Sequence, residues 1–221
     1  MIDSYPSQES EYFYSGQMYV EEVGDPVRTE STHRHDGFRF TSPDKRQVLH
    51  ARLDGFAFSV RAPYDRWEPF RDEARRLWDI YCSVTKAEVV TRAAVRYINQ
   101  LDLPAHSPEA DRVRMEDYLR VYPEVPRDWP GGGTMSSFFM QLQMWQEDLD
   151  CWLVVNEAPM WPDMQEPALF QLDFDFFREQ FEEPWRVDDD AKVWAFLEQL
   201  HIRKNEVFEA SITEATRRLI R

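Results

Sequence analysis

Hydrophobic and polar residues alternate in the first third of the chain and then change to helical spacing. The segments DGFRF (residues 36–40) and DGFAF (residues 54–58) each join an Asp-Gly pair, which suits a turn, to alternating aromatic residues, which suit the strand that follows. They predict a meander of short strands at residues 38–42, 47–53 and 56–61. Apolar residues then recur at helical spacing between Trp67 and Tyr81, which predicts an amphipathic helix lying on the sheet.

The rest of the chain repeats this order of elements. β-Branched and alternating stretches predict a strand, a hairpin and a further strand, at residues 90–101, 137–145 with 151–156, and 168–177. A helix follows the acidic run Asp188–Asp190, and Thr213 is placed to cap a last short helix. The pattern therefore predicts an α+β fold, with antiparallel sheets built from two meander-plus-helix halves and helices packed on the sheet.

The same pattern predicts a simple domain organisation. Residues 1–35 read as a polar N-terminal arm, and residues 36–221 as a single α+β domain. Two halves, residues 36–104 and 134–221, are joined by a loop-rich connection. Its glycine cluster, DWPGGGT, lacks the Gly-Lys-Ser/Thr ending of a phosphate-binding loop, so a flexible joint is the better interpretation.

The strand at residues 90–101 is unusual because it carries Arg92 and Arg96 among apolar residues. Period two puts both arginines on one face, and Asp173 and Asp175 share one face of the strand at residues 168–177. If the two strands are neighbours, a paired Arg/Asp cluster neutralises all four charges. Two alternatives stay open at this stage: a groove in which Arg92, Arg96 and Asn99 bind an anionic ligand, and exposure of the whole face to solvent.

No recognisable catalytic constellation accompanies this cluster. The chain has no GxSxG, HExxH or GxGxxG motif and no Ser-His-Asp arrangement. Asp173 and Asp175 present two carboxylates in one direction, as a divalent cation site requires, but no third ligand completes a motif. We therefore expect no catalytic residue, no metal and no cofactor.

Composition narrows the class of protein further. The formal net charge of −15 argues against direct nucleic-acid binding, which needs a basic face. No apolar run of 18 residues and no secretory signal is present, so we expect no membrane association. Two cysteines without CxxC spacing favour reduced, packed thiols in a cytoplasmic protein.

The negative charge is concentrated in the second half. Between Glu147 and Asp190 the chain has fourteen acidic and two basic residues. Such a tract is either a solvated surface or one that steers a basic protein partner. The candidate interaction surface comprises Glu147, Asp148 and Asp150, in a charged hairpin turn, and Trp161, in a Pro-flanked loop. An aromatic side chain surrounded by charged residues is typical of the centre of an interface.

Three stretches together resemble a known family. RYINQLDLP, LDFDFF and LHIRKNEVFEASITEATRRLI resemble a sporadically distributed family of prokaryotic proteins marked by an RYIN-x-(I/L)-x-(I/L)-P strand, an LDID-like strand and a C-terminal N-x-x-F-E-x-x-I-T helix. The resemblance covers residues 36 to 221 and implies no activity. Its patchy occurrence implies mobile loci, where defence functions gather. Members usually begin with an additional strand and helix, which implies here a smaller sheet or a partner chain that completes it.

The residues and the resemblance lead to one expected function and one alternative. We expect a non-enzymatic protein-interaction or regulatory component, of a mobile or defence-type locus, that acts through its acidic second half. The alternative is a domain that binds or hydrolyses a small anionic ligand in the Arg/Asp groove. A protein partner is expected, and the sequence leaves a homo-oligomer open.

Overall fold

The structure, a computed structural model, describes residues 4–19, 28–102, 114–126, 128–130, 137–160, 169–179 and 183–220. It has antiparallel sheets with helices packed on them, so the predicted α+β class is confirmed. The chain divides into two compact units, Met1–Ala87 and Glu88–Arg221. The predicted division, by contrast, was an arm of residues 1–35 and one domain of residues 36–221.

The first unit is one four-stranded sheet with a helix on it. The strands follow each other in space in chain order, each antiparallel to the next. Their bounds, with that of the helix, are β1 (Ser7–Tyr19), β2 (Arg28–Thr41), β3 (Gln47–Arg52), β4 (Phe56–Val60) and α1 (Trp67–Thr85). Residues 1–35, predicted to be a polar arm, thus supply β1 and the first half of β2.

The two Asp-Gly pairs have different roles. Asp54-Gly55 lies in the tight connection between β3 and β4, where Arg52 N–H donates to the Gly55 carbonyl (2.9 Å), as predicted. The turn predicted at Asp36-Gly37 is wrong, because Gly37 lies inside β2 at a bulge in the pairing with β1. A Cβ atom on Gly37 would overlap the Ala51 carbonyl of β3, so glycine is needed here for close approach of two strands.

The core of this unit lies between the sheet and α1. Tyr5, Leu49 and Leu77 are buried together, and three phenylalanines of the strands pack against them. The Tyr5 hydroxyl lies 2.7 Å from Gln47 Oε1 and 2.8 Å from Glu73 Oε1, which ties the segment before β1 to both β3 and α1.

The second unit is a four-stranded antiparallel sheet with helices and a small two-stranded ladder. The spatial order of the main sheet is β6-β9-β8-β7, and β5 pairs with β10. The elements are β5 (Val89–Val90), β6 (Arg92–Asp102), α2 (Met115–Tyr118), β7 (Met140–Gln146), β8 (Cys151–Met160), β9 (Leu169–Glu179), β10 (Trp185–Arg186), a 3-10 turn (Val187–Asp189), α3 (Ala191–Ser211) and α4 (Glu214–Leu219).

The main sheet of this unit has two unlike faces. One, the inner face, carries Leu153, Val155, Leu172 and Phe174, all at most 4% exposed, and α3 packs on it through Phe196 and Leu200. The opposite, outer face carries Arg92 and Arg96 of β6 and Asp173 and Asp175 of β9, beside apolar side chains such as Ile98, as period two requires. The helix therefore covers the apolar face and leaves a mixed polar surface.

Short contacts join the smallest helices of the second unit. Thr213 caps α4, as predicted: its Oγ1 accepts a hydrogen bond from Thr216 N–H (3.4 Å) and donates one to the Asp117 carbonyl (2.6 Å). Buried Thr216 donates to the Tyr118 carbonyl (2.5 Å), so α2 and α4 are held together by backbone acceptors of α2. Among the described residues, no helix is long and apolar enough to cross a membrane.

Candidate functional site

The predicted Arg/Asp cluster forms on the outer face of the second sheet. β6 and β9 are neighbours, and their register puts Arg96 opposite Asp175 and Ile98 opposite Asp173. Arg96 reaches diagonally and donates two hydrogen bonds to Asp173, from Nε to Oδ1 (2.8 Å) and from Nη2 to Oδ2 (2.5 Å). This bidentate contact raises the pKa of the Arg96 guanidinium above its usual value and neutralises a carboxylate that is 2% exposed.

The Arg96–Asp173 pair is part of a longer chain of hydrogen bonds. Asn156 of β8 donates from Nδ2 to Asp173 Oδ2 (3.2 Å), and Gln141 of β7 donates from Nε2 to Asn156 Oδ1 (2.7 Å). One side chain from each of the four strands therefore takes part, and the network crosses the whole sheet. The sequence patterns of the individual strands did not predict that Asn156 and Gln141 belong to this network. Their proximity to Asp173 depends on the strand order β6-β9-β8-β7.

Arg92 is held less tightly than Arg96. Its Nη2 lies 3.6 Å from Asp175 Oδ2, its Nε lies 3.7 Å from Glu179 Oε2, and its guanidinium sits over the Phe177 ring at 4.7 Å. Burial raises the pKa of the Asp175 carboxyl above its ordinary value, although Arg92 and Arg96 act in the opposite direction. Glu179, which the sequence interpretation left out, shares Arg92 with Asp175.

Asn99 does not join this cluster. It differs from Arg92 and Arg96 by an odd number of positions, so it lies on the other face of β6, and its Nδ2 donates to the Leu172 carbonyl (3.2 Å). Its assignment to a common groove with the arginines was wrong, since period two alone separates them. The Asn99 side-chain amide thus adds a hydrogen bond between β6 and β9 on the inner face of the sheet.

The geometry of the cluster favours a structural role. Two donors of Arg96 are occupied by Asp173, and an anionic ligand would have to displace that carboxylate, which is buried and has no exposed position to take. Both Asp173 oxygens accept hydrogen bonds from Arg96, and Oδ2 accepts a second from Asn156. The carboxylate therefore already has hydrogen-bond partners within the protein for both oxygens. Exposed by 54%, the Arg96 side chain reaches the surface but is not free in solvent.

The acidic turn at Glu147–Asp150 is the other predicted site. It connects β7 and β8, and Asp150 adopts the left-handed conformation with φ of 50°. Asp148 accepts hydrogen bonds from Arg203 of α3, which lowers the pKa of its carboxyl, and Asp150 forms an ion pair with Arg178 of β9. Glu147 is exposed. Trp161, the fourth residue of the predicted surface, lies outside the described residues.

A shallow depression of ≈ 400 Å³ adjoins this acidic turn. The Trp185 and Phe196 rings meet edge to face, with centroids 5.3 Å apart, and contribute its aromatic lining. Two acidic and two basic side chains lie around it, and the full lining is Asp148, Leu149, Asp150, Arg178, Trp185, Lys192, Ala195, Phe196 and Gln199. Its residues come from the turn, β9, β10 and α3, which the linear sequence does not place together.

Comparison of the chain with known proteins identified no similar protein. No family model, no curated protein and no solved structure matches the chain. Function must therefore be inferred from the residues and contacts of the described segments.

Proposed function

We propose that the chain is a non-enzymatic protein-interaction or regulatory component that binds a partner protein at the acidic turn and the adjoining depression. One observation carries this proposal: the turn residues Asp148 and Asp150 form one wall of a depression that Trp185 and Phe196 line with aromatic rings. Interfaces are commonly organised around an apolar anchor position surrounded by polar and charged groups.

The charge of this region favours a basic partner. Glu147 lies in the acidic turn, Asp188 and Asp189 follow β10, and all three are exposed on a chain with a formal net charge of −15. Such a field accelerates the association of a positively charged partner and disfavours acidic ones. A partner that presents a long basic side chain fits best, because its apolar stem can lie against the rings while its charge approaches exposed Glu147.

The ion pairs of the turn support the same proposal. Arg203 from α3 and Arg178 from β9 hold Asp148 and Asp150 in place, so the turn needs little reordering when a partner binds. Pre-ordered side chains lose less conformational entropy on association. The ion pairs that join the turn to the sheet and to α3 thus keep the shape of the proposed binding surface fixed.

The proposal is tested by filling the depression. Ala195 is exposed on α3 and lines it, so Ala195→Trp occupies the space without replacing a core residue. We expect the tagged protein, purified from its native host, to retain a specific partner that Ala195→Trp loses and Glu147→Lys retains more weakly. Ala215→Trp, at an exposed position of α4, is the matched control and keeps the partner.

Two results contradict the proposal. One is retention of the same proteins by the wild type and by Ala195→Trp. The other is the absence of any protein enriched by the wild type over an unrelated tagged control of similar charge.

The motifs RYINQLDLP, LDFDFF and LHIRKNEVFEASITEATRRLI support a narrower proposal, that the chain belongs to the sporadically distributed family described above and serves a mobile or defence-type locus. The genes next to its own provide the test. A neighbour that encodes a basic protein, recovered with the wild type and lost with Ala195→Trp, supports both proposals together.

A further inference from the structure

β6 forms one edge of the second sheet. It has eleven residues, and its register with β9 runs without interruption from Arg92–Glu179 to Asp102–Leu169. Among the described strands, β9 is its only neighbour in the sheet. Edge strands present unpaired backbone N–H and C=O groups, which natural proteins protect with proline, lysine, bulges or short length.

β6 has no bulge and is not short, and its last three residues, 100–102, share a small depression with α4. The strand contains no proline or lysine, and its two arginines are drawn across the outer face towards the carboxylates of β9. Ile98, near its centre, is 56% exposed. The other edge strands differ: the pairing of β1 with β2 shifts register at Glu11/Tyr12, and β4 and β7 have five and seven residues.

We infer that β6 pairs with β6 of a second copy of this chain, antiparallel about a two-fold axis at Tyr97. Tyr97 is the middle residue of β6, so this register uses the whole strand. It places Arg92 opposite Asp102 of the second copy, and the symmetry repeats this pair at the other end. Opposite charges at facing positions stabilise an antiparallel ladder, and like charges destabilise it.

The charges of β6 and its full length together favour this register and a second copy as the occupant. With the axis at Tyr97, Arg96 faces Ile98 of the second copy, so no two like charges meet. With the axis at Ala94, Arg92 would face Arg96 at both ends of the contact. Because the strand is complementary to itself, a second copy satisfies every position without a different partner, as isologous interfaces require.

The pairing extends the sheet and changes the surroundings of Asp102. Joining two four-stranded sheets through β6 gives one continuous eight-stranded sheet, and Asp102, which is exposed in the single chain, gains a cationic neighbour. The eleven paired residues extend over about 37 Å at the usual rise per residue of antiparallel strands.

The test is the mass of the full chain in solution, measured by sedimentation equilibrium over a range of concentrations. We expect the wild type to form a species of twice the 26.5 kDa chain mass. Ile98→Lys puts a lysine opposite Arg96 of the second copy, and Asp102→Arg puts an arginine opposite Arg92. Each substitution is expected to raise the dimer dissociation constant by roughly tenfold or more.

Matched controls separate pairing from folding. Ile202→Lys exchanges the same residue type at similar exposure (52%) on α3, and it is expected to leave the dimer intact. In the single chain, the lysine introduced by Ile98→Lys lies opposite Asp173 and is well tolerated, so circular dichroism is expected to match the wild type. Asp102→Arg provides an independent second variant.

A wild type that stays monomeric at high concentration overturns the inference. So does a dimer that Ile98→Lys and Asp102→Arg leave as stable as before. The inference is independent of the proposed partner site, because Ala195→Trp leaves the β6 edge unchanged and is expected to leave the mass of the protein unchanged.

Discussion

At the scale of single residues, the outer face shows how a buried charge is accommodated. Asp173 is almost fully buried, and its carboxylate is neutralised by Arg96 and hydrogen-bonded by Asn156. The chemistry of this pairing was predictable, because two arginines on an apolar strand require acidic partners. The sequence did not predict that Arg96 pairs with Asp173 rather than with Asp175, which lies directly opposite it. This pairing depends on the conformation of the long arginine side chain, which extends diagonally to the neighbouring strand.

Arg96→Ala is expected to destabilise the second unit much more than Arg92→Ala. Removing Arg96 leaves a buried carboxylate without its cation, at a cost of about 3 kcal/mol in unfolding free energy. Arg92 lies 3.6 and 3.7 Å from the carboxylates of Asp175 and Glu179, which are both more exposed than Asp173, so its loss costs about 1 kcal/mol or less. Urea unfolding of both variants measures the difference, and equal losses contradict the assignment.

Adding Asp173→Asn to Arg96→Ala provides a control on the mechanism. If the cost arises from the uncompensated charge, the neutral side chain recovers part of the lost stability. No recovery would show that Arg96 acts through packing of its stem instead.

Glu157 is a second buried acid, and it lacks the compensation that Asp173 has. It lies on the inner face of β8, 1% exposed, and among the described residues neither carboxylate oxygen has a hydrogen-bond partner. Burial raises the pKa of this carboxyl from 4.5 to about 7. Ionisation of the Glu157 side chain therefore destabilises the folded chain.

Glu157→Gln is expected to raise stability at neutral and alkaline pH. Below pH 4.5 the carboxyl is protonated in both the folded and the unfolded chain, so it adds no pH dependence. Between pH 4.5 and about 7 the unfolded chain releases the proton first, and stability falls by about 3 kcal/mol in total. The glutamine variant lacks this fall, which urea unfolding at about pH 4.5 and about pH 8 measures.

Glu147→Gln is the matched control, because Glu147 is an exposed glutamate of the connection between β7 and β8. It makes the same substitution at an exposed position, so its comparison with Glu157→Gln isolates the effect of burial. A difference in stability between the wild type and Glu157→Gln that is the same at both pH values would contradict the raised pKa of Glu157.

At the scale of elements, segments with a strong hydrophobic period were predicted well and polar segments were not. The strand predicted at residues 47–53 is observed at Gln47–Arg52, and the strand predicted at 56–61 is observed at Phe56–Val60. β1 was not predicted as a full strand, because SQESEYFYSGQMY has little apolar alternation. Its conformation depends on pairing with β2, which is a long-range interaction.

Thr213→Ala is expected to loosen α4. The substitution removes the cap on Thr216 N–H and the hydrogen bond to the Asp117 carbonyl, which costs about 1 kcal/mol. Amide hydrogen exchange in Glu214–Leu219 should accelerate accordingly. Thr213→Ser keeps the hydroxyl and is expected to exchange like the wild type, and equal exchange in both variants would exclude a capping role.

At the scale of the whole molecule, the chain has two compact units where one domain of residues 36–221 was predicted. The strand of residues 90–101 was predicted to close the first half, but β6 pairs with β9 and belongs to the second unit. Each unit has its own sheet and its own buried residues. A unit with its own core has the basis for independent folding.

Residues 88–221, expressed alone, are therefore expected to fold. We expect cooperative urea unfolding and a far-ultraviolet spectrum with the signals of both strand and helix. Residues 105–221, which lack β6, are the matched control and are expected to unfold or aggregate, because β9 then loses its neighbour. Non-cooperative unfolding of residues 88–221 would contradict the division into units.

The sequence by itself determined the type of most elements, the faces of the central strands and the need of Arg92 and Arg96 for acidic partners. These properties follow from periods of two and 3.6 residues and from the cost of unpaired charge, which act within one element. Only the tertiary structure decided the strand order, the hydrogen-bond chain from Arg96 to Gln141 and the depression beside the acidic turn. Each of these joins residues far apart in the chain, and their proximity depends on the packing of whole elements rather than on any local pattern.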